Sequence, residues 1–144
     1  MGVKDAIASI EQGDYENAYR LIKPLAEQGD AHAQCILAAM YFNGQGFPQD
    51  YTEAAKWFRR AAEQGHAEAQ HNLGLLYKVG QGVPQVYILS HMWFNLAASQ
   101  LHVPMEAREA VVKERDIVAS KMTPEQIAEA NKLAWEWRPK EEVR

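Results

Sequence analysis

Cysteine occurs once in the 144 residues, at Cys35, so no disulfide can form within the chain. A zinc site would need histidine or carboxylate ligands around that single thiol. Positive charge is also in short supply: 15 Lys and Arg face 19 Asp and Glu, for a formal net charge of −4. This excludes the basic footprint with which a protein holds a nucleic-acid backbone. The imbalance is even, with 7 basic against 10 acidic residues over 1–100 and 8 against 9 over 101–144, so neither part is a charged tail. No apolar run approaches the roughly 20 residues that span a bilayer, which argues against membrane insertion. Residues 1–7, Met-Gly-Val-Lys-Asp-Ala-Ile, hold no secretory apolar stretch. The compartment stays open, because a leader removed upstream leaves no trace.

Catalytic signatures are missing too. None of Ser9, Ser90, Ser99 and Ser120 has a lysine three residues on, as a serine acylase requires. The histidines are His32, His66, His71, His91 and His102, and no pair has the four-residue spacing of a helical metal site. Surface positions are expected for them. These gaps predict no catalytic residue, no metal and no cofactor.

What is present is a repeat. With 47% hydrophobic residues the chain can bury a core. Residues 26–61 overlay residues 62–97 without a gap at an offset of 36, and 18 of the 36 positions are identical. The shared residues include Ala33/Ala69, Gln34/Gln70, Leu37/Leu73, Tyr41/Tyr77, Trp57/Trp93 and Phe58/Phe94. A partial third copy precedes them: Asp14-Tyr15, Ala18, Leu21 and Ile22 stand where Asp50-Tyr51, Ala54, Trp57 and Phe58 follow.

Each unit reads as helix, loop, helix. Ala33, Leu37 and Tyr41, four residues apart, form one apolar stripe on the first helix. Ala54, Trp57, Phe58 and Ala61 do the same on the second. The loop is Gly-Gln-Gly-x-Pro-Gln, at 44–49 and 80–85. Its glycines allow a left-handed exit from a helix, and its proline starts the next segment. A phosphate-binding reading of Gly-x-Gly fails, because the third glycine and the preceding strand are missing. Asp30 is placed to cap a helix.

The pattern Ala-Glu-Gln-Gly-x-Ala-x-Ala-Gln-x-x-Leu, Tyr-x-x-Gly-x-Gly-x-Pro-Gln-x-Tyr, Trp-Phe resembles the Sel-one-like repeat, a relative of the tetratricopeptide repeat. The resemblance implies an all-α fold: a short right-handed α-solenoid of antiparallel helix pairs with C-terminal capping helices. Repeat 1 is 29–64 and repeat 2 is 65–100. A tetratricopeptide-like helix pair occupies 3–28, capping helices 101–138, and a disordered tail 139–144, all within one domain, 1–144. Val86 and Ser90 depart from the first copy's Asp50 and Ala54. Helices are expected at 3–12, 15–28, 31–43, 51–64, 67–79, 87–100, 104–121 and 124–137, with a bend at Pro24. The segment 87–100 is apolar enough to need cover, which 104–121 and the capping box at Thr123 are placed to give.

The resemblance also implies an adaptor that binds a peptide or protein, not an enzyme; the alternative is a self-assembling scaffold. A remote third reading, β-lactam binding or hydrolysis, belongs to a subgroup with paired cysteines, which this chain lacks. Monomer or weak homodimer is expected. In the tetratricopeptide arrangement the first helices line a concave groove. Its candidate positions are His32, Cys35, Ala39, Phe42 and Asn43 with Glu68, His71, Asn72, Leu75, Lys78 and Val79. Asn72 stands where tetratricopeptide grooves hold a ligand's backbone, and Cys35 is expected to be modestly accessible. An ordinary solvated face is the competing reading, since two full repeats leave a shallow groove.

Overall fold

The computed structural model describes residues 2–100 and 102–142; among them lie eight helices and no strand. They are α1 (Val3–Glu11), α2 (Tyr15–Glu27), α3 (Ala31–Asn43), α4 (Tyr51–Glu63), α5 (Ala67–Val79), α6 (Tyr87–Ala98), α7 (Met105–Ala119) and α8 (Pro124–Glu136). Each begins or ends within two residues of the range read from the sequence. Helix α2 continues through Pro24, which is exposed.

Local chemistry sets these boundaries. Asp14, Asp30 and Asp50 accept the backbone N–H groups of Asn17, Ala33 and Glu53 at 3.2, 2.9 and 3.0 Å, capping α2, α3 and α4. Thr123 and Gln126 close a reciprocal capping box on α8. Gly44 and Gly80 end α3 and α5 with φ of 68° and 77°, in the left-handed region that glycine adopts without strain. The next loop glycine has a packing role. A Cβ on Gly82 would lie 2.1 Å from the Tyr51 carbonyl oxygen, and one on Gly46 2.9 Å from Tyr15 Cβ. Each loop therefore rests on the start of the preceding second helix.

Successive helices pack in chain order from α1 to α7, and α8 returns to α6. The stripes face inward: Ala33, Leu37, Ala69 and Leu73 are fully buried, as are Ala54 and Ala61. Trp57, Phe58, Trp93 and Phe94 fill the space between helices. Burying side chains of this size is what sets the stability of so short a stack. Gln34 and Gln70, both fully buried, span the seams between units. Their amides donate to Ala26 O and Ala62 O at 3.0 and 3.1 Å.

Residues 139–142, expected as a tail, lie against α4 in the structure: Lys140 donates its backbone N–H to Glu63 O at 2.6 Å, and Glu142 pairs with Arg60. The run Pro-Lys-Glu-Glu has no apolar anchor to betray this, because polar groups on α3 and α4 hold it. Positions 143–144 lie outside the described residues.

Candidate functional site

The first helices α3 and α5 lie side by side, and α7 takes the position of a third. Its Glu114 stands one period of 36 after Lys78, and the two form an ion pair at 2.9 Å, both side chains about three-quarters buried. Helix α7, read from the sequence as a cap, thus adds Glu114 to a cavity that α3 and α5 line.

All the candidate residues except Cys35 divide between two cavities. Ala39, Phe42, Asn43, Asn72, Leu75, Lys78 and Val79 line one of about 490 Å³, with Phe58, Leu76, Gln81 and Glu114 completing it. Much of its lining is apolar, three amides (Asn43, Asn72 and Gln81) and the Lys78–Glu114 pair add polar groups, and Val79 is 55% exposed. Such a surface offers side-chain pockets together with groups able to bond a peptide backbone. Helix α4 contributes Phe58 to this lining, and behind it Phe42 lies 5.1 Å from Tyr51, ring to ring.

His32, Glu68 and His71 line the second cavity, about 650 Å³, where α3 and α5 begin. His66, His102, Pro104, Ala107 and Val111 join them, none of which was among the candidate groove positions. His66 replaces aspartate as the cap of α5: its Nδ1 accepts from the Ala69 N–H at 3.2 Å. Burial holds His66 and His71 below the ordinary imidazole range, partly offset by Glu68 and, for His71, Glu114. Both are therefore neutral at pH 7. Among the described residues, no three His, Cys, Asp or Glu side chains are grouped to hold a metal ion.

Two expectations are corrected here. Cys35 is not accessible: only 4% of it is exposed, and burial pushes its thiol pKa well up. The reason is the apolar character of α3 on all sides, with Ala38 and Met40 also fully buried between neighbouring helices. His91 is not on the surface. It is buried on α6, and burial, with Arg115 nearby, keeps it neutral.

No helix among the described residues is long and apolar enough to cross a membrane. The family model of the Sel1 repeat matches residues 7–30, 31–66 and 67–100. Solved structures agree. A protective antigen of uropathogenic Escherichia coli strains, with an SLR fold, superposes with a TM-score of 0.82 at 26% identity over 92% of this chain. A Sel1 repeat protein from Oxalobacter formigenes gives a TM-score of 0.73 at 24% identity over 95% of the chain. This chain spans 28% and 56% of those two proteins. No curated protein matches it by sequence.

Proposed function

This chain belongs to the Sel1 repeat family, whose members commonly serve as protein-interaction modules, and from that premise we propose that it binds an extended or helical peptide of a protein partner in the groove between α3, α5 and α7. The observation that carries this reading is the cavity where Asn72 and Leu75 meet Phe42 and Val79 under the Lys78–Glu114 pair. It joins apolar burial with amide groups able to orient a backbone, the combination peptide recognition needs.

Binding rather than catalysis fits the hydroxyls as well. Ser90, Ser99 and Ser120 donate to the carbonyls of Gly74, Leu96 and Ile117, and Ser9 accepts from Asn17. Sel1 repeat proteins are in general not enzymes. The scaffold reading draws on Met105 and Trp135, 72% and 82% exposed on the capping helices. Sedimentation of the purified chain separates it from the peptide receptor, which stays monomeric.

Peptides selected from a displayed random library test the groove. The pair Asn72→Ala with Val79→Glu is expected to weaken their binding at least about tenfold, roughly 1.4 kcal/mol, with the melting curve unchanged. Lys132→Ala, exposed on α8, is expected to leave binding intact. Selected peptides that bind the double variant as well as the native chain would place recognition elsewhere.

A further inference from the structure

Repeat 1 carries a polar site at the edge of the solenoid that repeat 2 lacks. The fully buried Gln34 donates to Ala26 O, and its amide oxygen accepts from Gln64 Nε2 at 2.9 Å. These two bonds fix the amide plane and leave one N–H free to act. That N–H meets the Glu142 carboxylate, 3.0 and 3.1 Å from its two oxygens. Arg60 grips the same carboxylate as a fork, Nη2 to Oε1 at 2.6 Å and Nε to Oε2 at 3.2 Å. The guanidinium is itself stacked over Trp57, 4.6 Å from the ring centroid.

In repeat 2 the glutamine and its partner recur as Gln70 and Gln100, 3.3 Å apart. The basic residues do not. Lys56, Arg59 and Arg60 of α4 correspond to Met92, Asn95 and Leu96 of α6. The cationic stripe thus belongs to the one second helix whose edge holds a carboxylate; the acidic groups closest along α4 are Glu53 and Glu63, the first spent on Lys56 at 3.9 Å and the second on Lys140 at 3.7 Å.

The site and its occupant differ in how firmly each is built. Gln34, Gln64 and Arg60 are oriented by contacts that do not involve the C-terminal segment. The segment itself has Arg138, Pro139, Lys140 and Glu141 exposed and one backbone bond, from Lys140 to Glu63 O. Its apolar hold is Trp137, edge-on to Trp93 at 6.2 Å. The Lys140–Glu63 pair, whose lysine side chain is 69% exposed, adds little to such an attachment, so the Glu142 carboxylate on Arg60 and Gln34 is its main polar hold. A preformed site whose occupant is fastened mainly through one carboxylate is open to a competing carboxylate.

We propose that Gln34, Arg60 and Gln64 form a carboxylate-recognition site for a glutamate in an extended acidic peptide of a protein partner, and that Glu142 is its built-in competitor. The register is specified: the residue two before the glutamate gives its N–H to Glu63 O, as Lys140 does. The cationic stripe of α4 favours further acidic residues beside it. The site shares no residue with the groove cavity around Asn72 and Leu75, so either proposal can fail alone.

The test uses the full chain and a fluorescent synthetic peptide, Glu-Trp-Arg-Pro-Lys-Glu-Glu, copying residues 136–142. A tethered competitor acts at a millimolar effective concentration. Glu142→Gln, which weakens that competitor, is therefore expected to bind the peptide at least about tenfold more tightly than the native chain. Adding Arg60→Ala is expected to abolish the gain. Replacing the peptide's last glutamate with glutamine is expected to abolish it too, and this arm does not depend on any variant folding. Equal binding by the native chain and Glu142→Gln, or binding indifferent to the peptide's last glutamate, overturns the proposal. Native chains that dimerise by exchanging their C-terminal segments would make a second copy the occupant, and would overturn the assignment to a partner.

Discussion

Repeats 1 and 2 hold nearly half their residues in common and match element for element, yet repeat 1 is polar where repeat 2 is apolar. Asp30 and Asp50 cap the helices of repeat 1; His66 caps α5, and Val86 precedes α6 with no side-chain cap. The stripe Lys56, Arg59 and Arg60 becomes Met92, Asn95 and Leu96. These changes follow position in the stack. Helix α6 is covered by α5, α7 and α8, and eight of its twelve residues are buried. Helix α4 keeps an outer edge, which the C-terminal segment borders. One pair of changes is coupled. Ala38 and Ala54 become Gly74 and Ser90, letting Phe94 approach the backbone of α5 while the Ser90 hydroxyl donates to Gly74 O at 2.8 Å. Identity between repeats thus marks what stacking requires, and difference marks what each repeat faces.

The largest expected effect tests the identity. Trp57→Ala and Trp93→Ala each empty a core position, and each is expected to cost roughly 3–5 kcal/mol by denaturant unfolding. Trp93 also supports Trp137. Trp93→Ala should therefore speed proteolysis after Lys140 under native conditions, whereas Trp57→Ala should do so only in step with global unfolding.

An intermediate effect tests the coupled pair. A Cβ on Gly74 would lie 2.6 Å from a ring carbon of the fully buried Phe94. Gly74→Ala is expected to lose about 1–3 kcal/mol despite the better helix propensity of alanine. A neutral or stabilising Gly74→Ala in the same unfolding measurement would show that repeat 2 is no more closely packed than repeat 1.

The smallest effect concerns the caps. His66→Asp restores the residue of repeat 1 and is expected to add about 0.5–1 kcal/mol, read as a higher melting temperature. Its pH dependence has a definite sign. Burial holds His66, His71 and His91 below the ordinary imidazole range, so the unfolded chain binds these protons more readily than the folded one. The stability they give is present above the unfolded value, near 6.5, and is lost as the pH falls toward the folded values. The melting temperature should drop between about pH 7.5 and pH 5.5, and less steeply in His66→Asp.

The period of 36 made the fold legible, because the residues that repeat are those that stacking demands: the Ala–Leu–Tyr and Trp–Phe stripes and the loop glycines. The groove was legible in part. Phe42, Asn72, Leu75 and Val79 meet in one cavity as their helical phase implies, but His32, Glu68 and His71 fall in another, nearer the start of the helices. Cys35 misled because its partner in the overlay, His71, is only half-buried: equal phase does not mean equal burial when one side chain is a short thiol, 4% exposed, and the other a longer imidazole beside a cavity. The contact of Glu142 with Arg60 and Gln34 has no periodic signature. It joins residues 82 and 108 positions apart through polar groups, and the segment's composition reads as solvated.

The backward course of the C-terminal segment decides how the chain meets a mechanical load. A pull applied near Glu142 acts first on Arg60 and Glu63, in the middle of the stack, and then on Trp93 through Trp137. Only after those attachments peel does tension reach α8, and through it the end of the solenoid. The segment 137–142 is thus a tether fastened over repeat 1, and under force the chain should lengthen by a short first step before any helix pair separates.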